Sequence, residues 1–209
     1  MMDNFKISQE LKKYGEEFMC DVIDCFSLSP TAIIKTINKV ANAPFILQQY
    51  CFWNKFERFV RGVRIDEDFS IKFATKITNS DKRNYYAKRI VETIDKIDDD
   101  EKVDLIINAT RALCWERISD EEYFRICSII RRCYIADLNF IKSEYPNWGH
   151  SGDVHVVELV SNGLMIKTIF DGGSWGEQND IIPDCQFTQL ATLIYDNCLN
   201  YEKPIPELY

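Results

Sequence analysis

Apolar residues recur every three or four positions along most of the chain, which is the spacing of one face of an α-helix. A Ser-Pro pair at 29–30 is a helix start signal, with serine as the N-cap and proline at the first helical position. Pro44 should end the helix that follows, and the next helix should end near Gly62. The first three predicted apolar stripes are Ile7 to Cys25, Ile33 to Ala41 and Phe52 to Val63.

The middle of the chain continues in the same manner. We expect a short helix over Asp66 to Asn79 and then a helix capped by Ser80. Two pairs have the spacing of a capping box, in which side chains three residues apart satisfy the free N–H groups of a first turn. They are Asp98 with Glu101 and Ser119 with Glu122. The second pair should open one long helix that runs to Ile141.

The pattern changes near Glu144, where Pro, Gly and Asn predict a turn as far as Gly152. A short helix should follow over Asp153 to Asn162, with Val156, Leu159 and Val160 on its buried side and Gly163 ending it. The rest of this segment is predicted as a strand, a glycine turn, a second strand and a final helix capped by Thr188. The bounds expected for the strands and the turn are Leu164 to Phe170, Ile181 to Phe187 and Asp171 to Ser174.

These patterns predict a mainly α protein in which a multi-helix N-terminal bundle precedes a small α+β module with a two-stranded hairpin. The bundle should cover residues 1–143 and the module 152–200. Residues 201–209 contain two prolines and should form an extended tail.

The string Val-Val-Glu-Leu-Val-Ser-Asn-Gly-Leu-Met at 156–165 resembles the end of the third helix of winged-helix proteins. The string Phe-Thr-Gln-Leu-Ala at 187–191 resembles the entry to the helix after the wing. A winged ending behind a charged helical body is similar to uncharacterised bacterial and phage proteins, including those grouped as abortive-infection alpha. That resemblance implies a setting of conflict between phage and bacterium, and it implies no chemistry.

Charge decides how such a winged segment would be used. Residues 143–209 contain two basic and ten acidic residues, so they carry the whole net charge of −8, while residues 1–142 are balanced. DNA affinity comes mostly from Lys and Arg that neutralise phosphates. The charge therefore disfavours DNA binding through this segment and favours another protein, or a second copy of the chain, as the partner.

Exposed tryptophans are common in protein interfaces. Trp148 in the predicted turn and Trp175 in the predicted wing, with Asp171 and Glu177 beside it, are therefore the candidate partner-binding residues. The simpler interpretation is that Trp175 folds back onto the helical body.

A basic stripe on the third helix gives a second hypothesis. Lys55, Arg58, Arg61 and Arg64 recur every three residues opposite the apolar face, and they suit an anion or nucleic acid bound by a regulator. A solvated helix face with salt bridges explains the same pattern.

A third hypothesis is a metal-dependent enzyme. His150, Asp153, His155 and Glu158 offer the imidazole and carboxylate groups that suit zinc, manganese or iron. The alternative is a helix N-terminus with an aspartate in its first turn and two surface histidines. Because the sequence has no phosphate-binding loop or nucleophile motif, we expect no cofactor and favour a non-enzymatic role.

The remaining features concern the cellular setting. No signal peptide or apolar run of membrane-spanning length is present, which predicts a cytoplasmic protein without a membrane partner. None of the eight cysteines forms a Cys-x-x-Cys pair, and most fall in core positions of predicted helices. We expect them to be reduced, buried thiols.

Overall fold

The computed structural model describes residues 46–78, 82–147, 149–168 and 185–200. The two helices predicted before residue 45, the predicted wing turn and the predicted tail lie outside these ranges. The described part is mainly helical. Its elements are α1 (Ile46–Arg64), α2 (Glu67–Phe73), the π-helix π1 (Ala74–Thr78), α3 (Arg83–Asp95), α4 (Asp100–Cys114), α5 (Asp120–Arg132), α6 (Ile135–Glu144), α7 (Val154–Ser161), β1 (Met165–Lys167), β2 (Cys185–Phe187), α8 (Gln189–Ile194) and the π-helix π2 (Tyr195–Leu199).

Helix α4 is the centre of the fold, because most of its side chains are buried, including Ile106, Ile107 and Leu113. It packs against α1, α2, α5 and π2. The buried apolar residues form one cluster that includes Val156, Leu159 and other residues of the C-terminal segment. The helical body and the C-terminal segment therefore share a core. In the described ranges, no helix is long and apolar enough to cross a membrane.

The predicted hairpin is present between the two strands of the C-terminal segment. They pair antiparallel, with Met165 opposite Phe187 and Lys167 opposite Cys185. Three residues of each strand are described, and the remaining parts of the predicted strands at 169–170 and 181–184 lie outside the described residues. Gly149 adds an isolated bridge to Cys185.

Several predicted helix ends are confirmed. The capping box of α5 is complete, because the Ser119 hydroxyl accepts from the Glu122 amide and the Glu122 carboxylate accepts from the Ser119 amide. The Thr188 hydroxyl caps α8 by accepting from the Ala191 amide at 3.3 Å. Gly163 ends α7 with a φ of 74°, a left-handed conformation that glycine adopts without strain.

Other predicted ends are wrong. The N-cap of α4 is Asp99, whose carboxylate accepts from the Glu101 amide at 2.8 Å, and the cap is not Asp98. Asp98 instead pairs with the buried Lys102, with 2.5 Å between Oδ1 and Nζ. Helix α3 begins at Arg83 after Lys82, so Ser80 is not its N-cap.

The long helix predicted over 119–141 is also wrong, since the chain breaks into α5 and α6 at Cys133 and Tyr134. Both residues have extended backbone with ψ near 146°. The Cys133 side chain is buried, while Tyr134 is 73% exposed. Packing rather than a Pro or Gly signal therefore sets this break.

Helix α1 continues through Gly62 and ends two residues later, at Arg64. A Cβ atom added at Gly62 would lie 2.4 Å from Cδ1 of Ile107 on α4. The space that a side chain at position 62 would need is therefore occupied by Ile107, and only glycine leaves it free.

Candidate functional site

Helix α7 is fixed at both ends and buried on one side. The Asp153 carboxylate caps it by accepting from the His155 amide at 2.8 Å. At the other end the Leu164 amide donates to the Leu159 carbonyl at 2.8 Å, which closes a Schellman turn around Gly163. Val156 and Leu159 are fully buried beneath the helix. The orientation of the outward side is therefore set by rigid elements.

Three valines are exposed on the outward side of α7. Val154 is 68% exposed, Val157 51% and Val160 37%, and Ile166 on the adjoining strand β1 is 48% exposed. The prediction that Val160 lies inside is wrong. No residue of α7 is Lys or Arg, and Glu158 is exposed on it. We call Val154, Val157 and Val160 the α7 valine face.

A histidine–aspartate pair holds α7 against α6. His155 Nδ1 lies 2.7 Å from Oδ1 of Asp137, whose side chain is only 7% exposed. The imidazole also stacks on Phe140, with ring centroids 5.3 Å apart. A buried carboxylate needs such a partner, because an unsatisfied buried acceptor is costly. This contact therefore fixes the position of α7 and uses one nitrogen of the imidazole.

The four residues considered as metal ligands have separate roles. Asp153 caps α7, His155 bonds Asp137, and His150 and Glu158 are exposed. Within the described ranges, no three His, Cys, Asp or Glu side chains lie together as a metal-ligand group. The structure therefore does not assemble the predicted set.

The basic stripe of α1 is largely used inside the protein. Arg58 forms a two-pronged pair with Asp104, with 2.7 Å from Nε to Oδ1 and 2.5 Å from Nη2 to Oδ2. This bond to Asp104 raises the pKa of the Arg58 guanidinium. Arg61 pairs with Glu57 on the same helix.

The first and last members of the stripe differ from these two. The Lys55 ammonium donates to the Ile97 carbonyl at 2.5 Å, at the C-terminal end of α3. Arg64 is half-buried, and it has no ion pair with any residue that the structure describes. The stripe therefore presents less free positive charge to a polyanion than its sequence indicates.

The candidate partner-binding residues Trp148, Asp171, Trp175 and Glu177 lie outside the described residues. They remain predictions. The α7 valine face was missed because the sequence pattern assigned one of its three valines to the core. The signal was present in the sequence, since α7 has valines at 154, 156, 157 and 160, and these positions point to more than one side of a helix.

Four cysteines are buried and form no disulfide with any residue that the structure describes: Cys114, Cys127, Cys133 and Cys198. Burial raises the pKa of the Cys114 and Cys127 thiols to about 12 and that of Cys133 to about 11. Burial also raises the pKa of Cys198. Since the thiolate is the nucleophile, these groups are inert at neutral pH. The prediction of buried thiols without disulfides is confirmed for Cys114, Cys127, Cys133 and Cys198.

Comparison of the chain with models of protein families, with curated proteins and with solved structures found no match.

Proposed function

We propose that the protein is a non-enzymatic interaction protein that binds another protein through the α7 valine face. The observation that carries the proposal is the exposure of three valines on one short, well-anchored helix. Single exposed apolar residues are normal, whereas a group of them on a rigid element is typical of an interaction site. A standard interface buries about 800 Å² on each partner, so the valines would form its centre and neighbouring residues its rim.

The charge of the C-terminal segment indicates the chemistry of the partner. Residues 143–209 carry a net charge of −8. A second copy would bring a segment of the same net negative charge, and like charges repel each other. The partner that fits best presents an apolar stripe flanked by Lys and Arg, such as an amphipathic helix.

The absence of Lys and Arg from α7 also argues against duplex DNA as the ligand. If the C-terminal segment is a winged helix, as its order of helix, strand, strand and helix suggests, α7 corresponds to the helix that reads DNA in such folds. A helix with three exposed valines and no Lys or Arg lacks the contacts that phosphates require. We therefore propose a winged-helix-like module that is used for protein binding.

The setting is part of the proposal as well. The resemblance to phage and bacterial helical proteins suggests a cytoplasmic role in defence or counter-defence, and infected cells are the first place to search for the partner.

The test is affinity purification of the tagged protein from native and infected cells, followed by mass spectrometry, with two matched variants. Val157→Lys places a charge in the α7 valine face and repels a basic partner. Ile71→Lys makes the same change at an equally exposed position on α2, where Ile71 is 58% exposed. Lysine is a good helix former, so neither change should impair folding.

We expect one partner that wild type and Ile71→Lys retain and that Val157→Lys loses. A partner retained equally by all three proteins would show that the α7 valine face is not the binding surface. Recovery of nucleic acid without a protein would contradict the proposed function itself.

A further inference from the structure

A pocket lies at the C-terminal end of α4, away from the α7 valine face. It has a volume of about 160 Å³. A cavity of about 150 Å³ can hold a molecule of the size of benzene. Its wall comes from the N-cap of α2, from α4 and the turn after it, and from π2. The lining residues are Asp66, Asn108, Arg111, Ala112, Trp115, Arg117 and Asn197.

Two arginines supply the positive charge of this pocket. Arg111 is 7% exposed and lies over the Phe69 ring at 4.5 Å and near the Trp115 ring at 5.7 Å. Its Nη1 donates to Oδ2 of Asp66 at 3.3 Å. Arg117 is exposed, and it has no ion pair with any residue in the described ranges.

The carboxylate in the lining offsets one of these two charges, because Asp66 forms an ion pair with Arg111. Oδ1 of Asp66 already accepts from the amides of Asp68 and Phe69, and Oδ2 accepts from Arg111. Lys72 lies near one lining residue, since its Nζ is 5.5 Å from the centre of the Trp115 ring, but it does not itself line the pocket. The described lining therefore keeps a net positive charge, which comes from Arg117.

Two local features hold the wall in place. The turn after α4 is a Schellman turn. In this turn, the backbone amide of Arg117 donates to the Ala112 carbonyl at 2.9 Å, and the backbone amide of Glu116 donates to the Leu113 carbonyl at 3.0 Å. Glu116 has a φ of 57°, which is strained for a residue other than glycine. On the opposite wall, the nearly buried Asn197 belongs to π2, and π-helical turns occur frequently at functional sites.

We propose that this pocket binds a small oxyanion, a carboxylate or phosphate group of about four to six non-hydrogen atoms. Arg117 contacts the anion directly, and the ion pair of Arg111 with Asp66 forms the wall behind it. Guanidinium groups suit this chemistry because their N–H donors match the geometry of carboxylate and phosphate oxygens.

The test uses the full chain and titrates inorganic phosphate and acetate in separate experiments at constant ionic strength. Calorimetry gives the affinity, and the ¹H–¹⁵N signal of the Trp115 indole, assigned with Trp115→Phe, gives the location. Arg117→Gln removes the proposed contact. Arg125→Gln removes the same charge from an exposed position on α5 and is the matched control.

We expect one anion per chain, a shift of the Trp115 signal, and an affinity about tenfold or more weaker in Arg117→Gln than in Arg125→Gln. Tighter binding of phosphate than acetate identifies a phosphate group, and the reverse identifies a carboxylate. If Arg117→Gln and Arg125→Gln weaken the anion affinity equally, the anion responds only to the net charge of the protein, and the proposal is overturned. Absence of saturable binding of either anion would overturn it too.

Discussion

The close approach of α1 to α4 predicts that Gly62→Ala destabilises the protein. In an ordinary helix the same change stabilises by about 1 kcal/mol, because alanine has the higher helix propensity. Here the new methyl group would lie 2.4 Å from Cδ1 of Ile107 and 3.1 and 3.2 Å from its Cγ1 and Cγ2. The two effects therefore have opposite signs, and the structure decides between them.

The magnitude follows from how far Ile107 can move. Its side chain is fully buried in the core. Adding a methyl group to a well-packed core costs about 1–3 kcal/mol. After the gain in propensity is subtracted, Gly62→Ala should lower the free energy of unfolding by about 1 kcal/mol. For a chain of this size the melting temperature should fall by about 2–4 °C.

A double-mutant cycle with Ile107→Val identifies the cause. In the wild-type background Ile107→Val should cost about 1 kcal/mol. In the Gly62→Ala background it removes the atom that makes the closest contact, so the cost should vanish or change sign. Chemical denaturation of wild type, the two single variants and the double variant gives the free energy of unfolding of each, and hence the coupling energy between the two positions.

Two results would refute this reasoning. Stabilisation by Gly62→Ala would mean that helix propensity alone governs the position. Additive effects in the cycle would mean that the alanine methyl group does not meet Ile107.

Three further predictions concern the turn after α4, one ion pair and the thiols. Glu116→Gly should raise the free energy of unfolding by about 1 kcal/mol, measured by urea denaturation, because glycine relieves the strain at positive φ. The hydrogen bond from Lys102 lowers the pKa of Asp98. The stability from this pair is therefore present above the unfolded pKa of about 3.8 and is lost as the pH falls through the lower folded value. The stability difference between wild type and Asp98→Asn should be full at pH 6 and shrink below about pH 4; a difference that stays constant would contradict this assignment. Peptide mapping after iodoacetamide treatment at pH 8 should find the following cysteines unmodified until denaturant is added: Cys114, Cys127, Cys133 and Cys198.

The sequence predicts those features that depend on neighbours along the chain. The Ser119 capping box, the Thr188 cap and the left-handed Gly163 are all short-range hydrogen-bond or backbone effects, and each is present. The helical class follows from the spacing of apolar residues for the same reason.

The sequence fails where distant residues decide the structure. Nothing in the neighbourhood of Cys133 marks the break between α5 and α6, and nothing near Gly62 indicates that Ile107 packs against it. The pairs Arg58 with Asp104 and His155 with Asp137 join separate helices and change the role expected of both basic and histidine residues. The pocket at the end of α4 likewise needs Asp66 and Asn197 to meet, which no local pattern specifies.

The central proposal, that the α7 valine face binds a protein partner, is tested most directly by photo-crosslinking in cells. A photoreactive benzoylphenylalanine at position 157 reports which molecule lies against α7, and the same residue at position 71 on α2 is the control. We predict a discrete crosslinked protein from position 157, of the same mass as the purified partner, and none from position 71. The same crosslinked product from both positions, or from position 71 alone, would contradict the account.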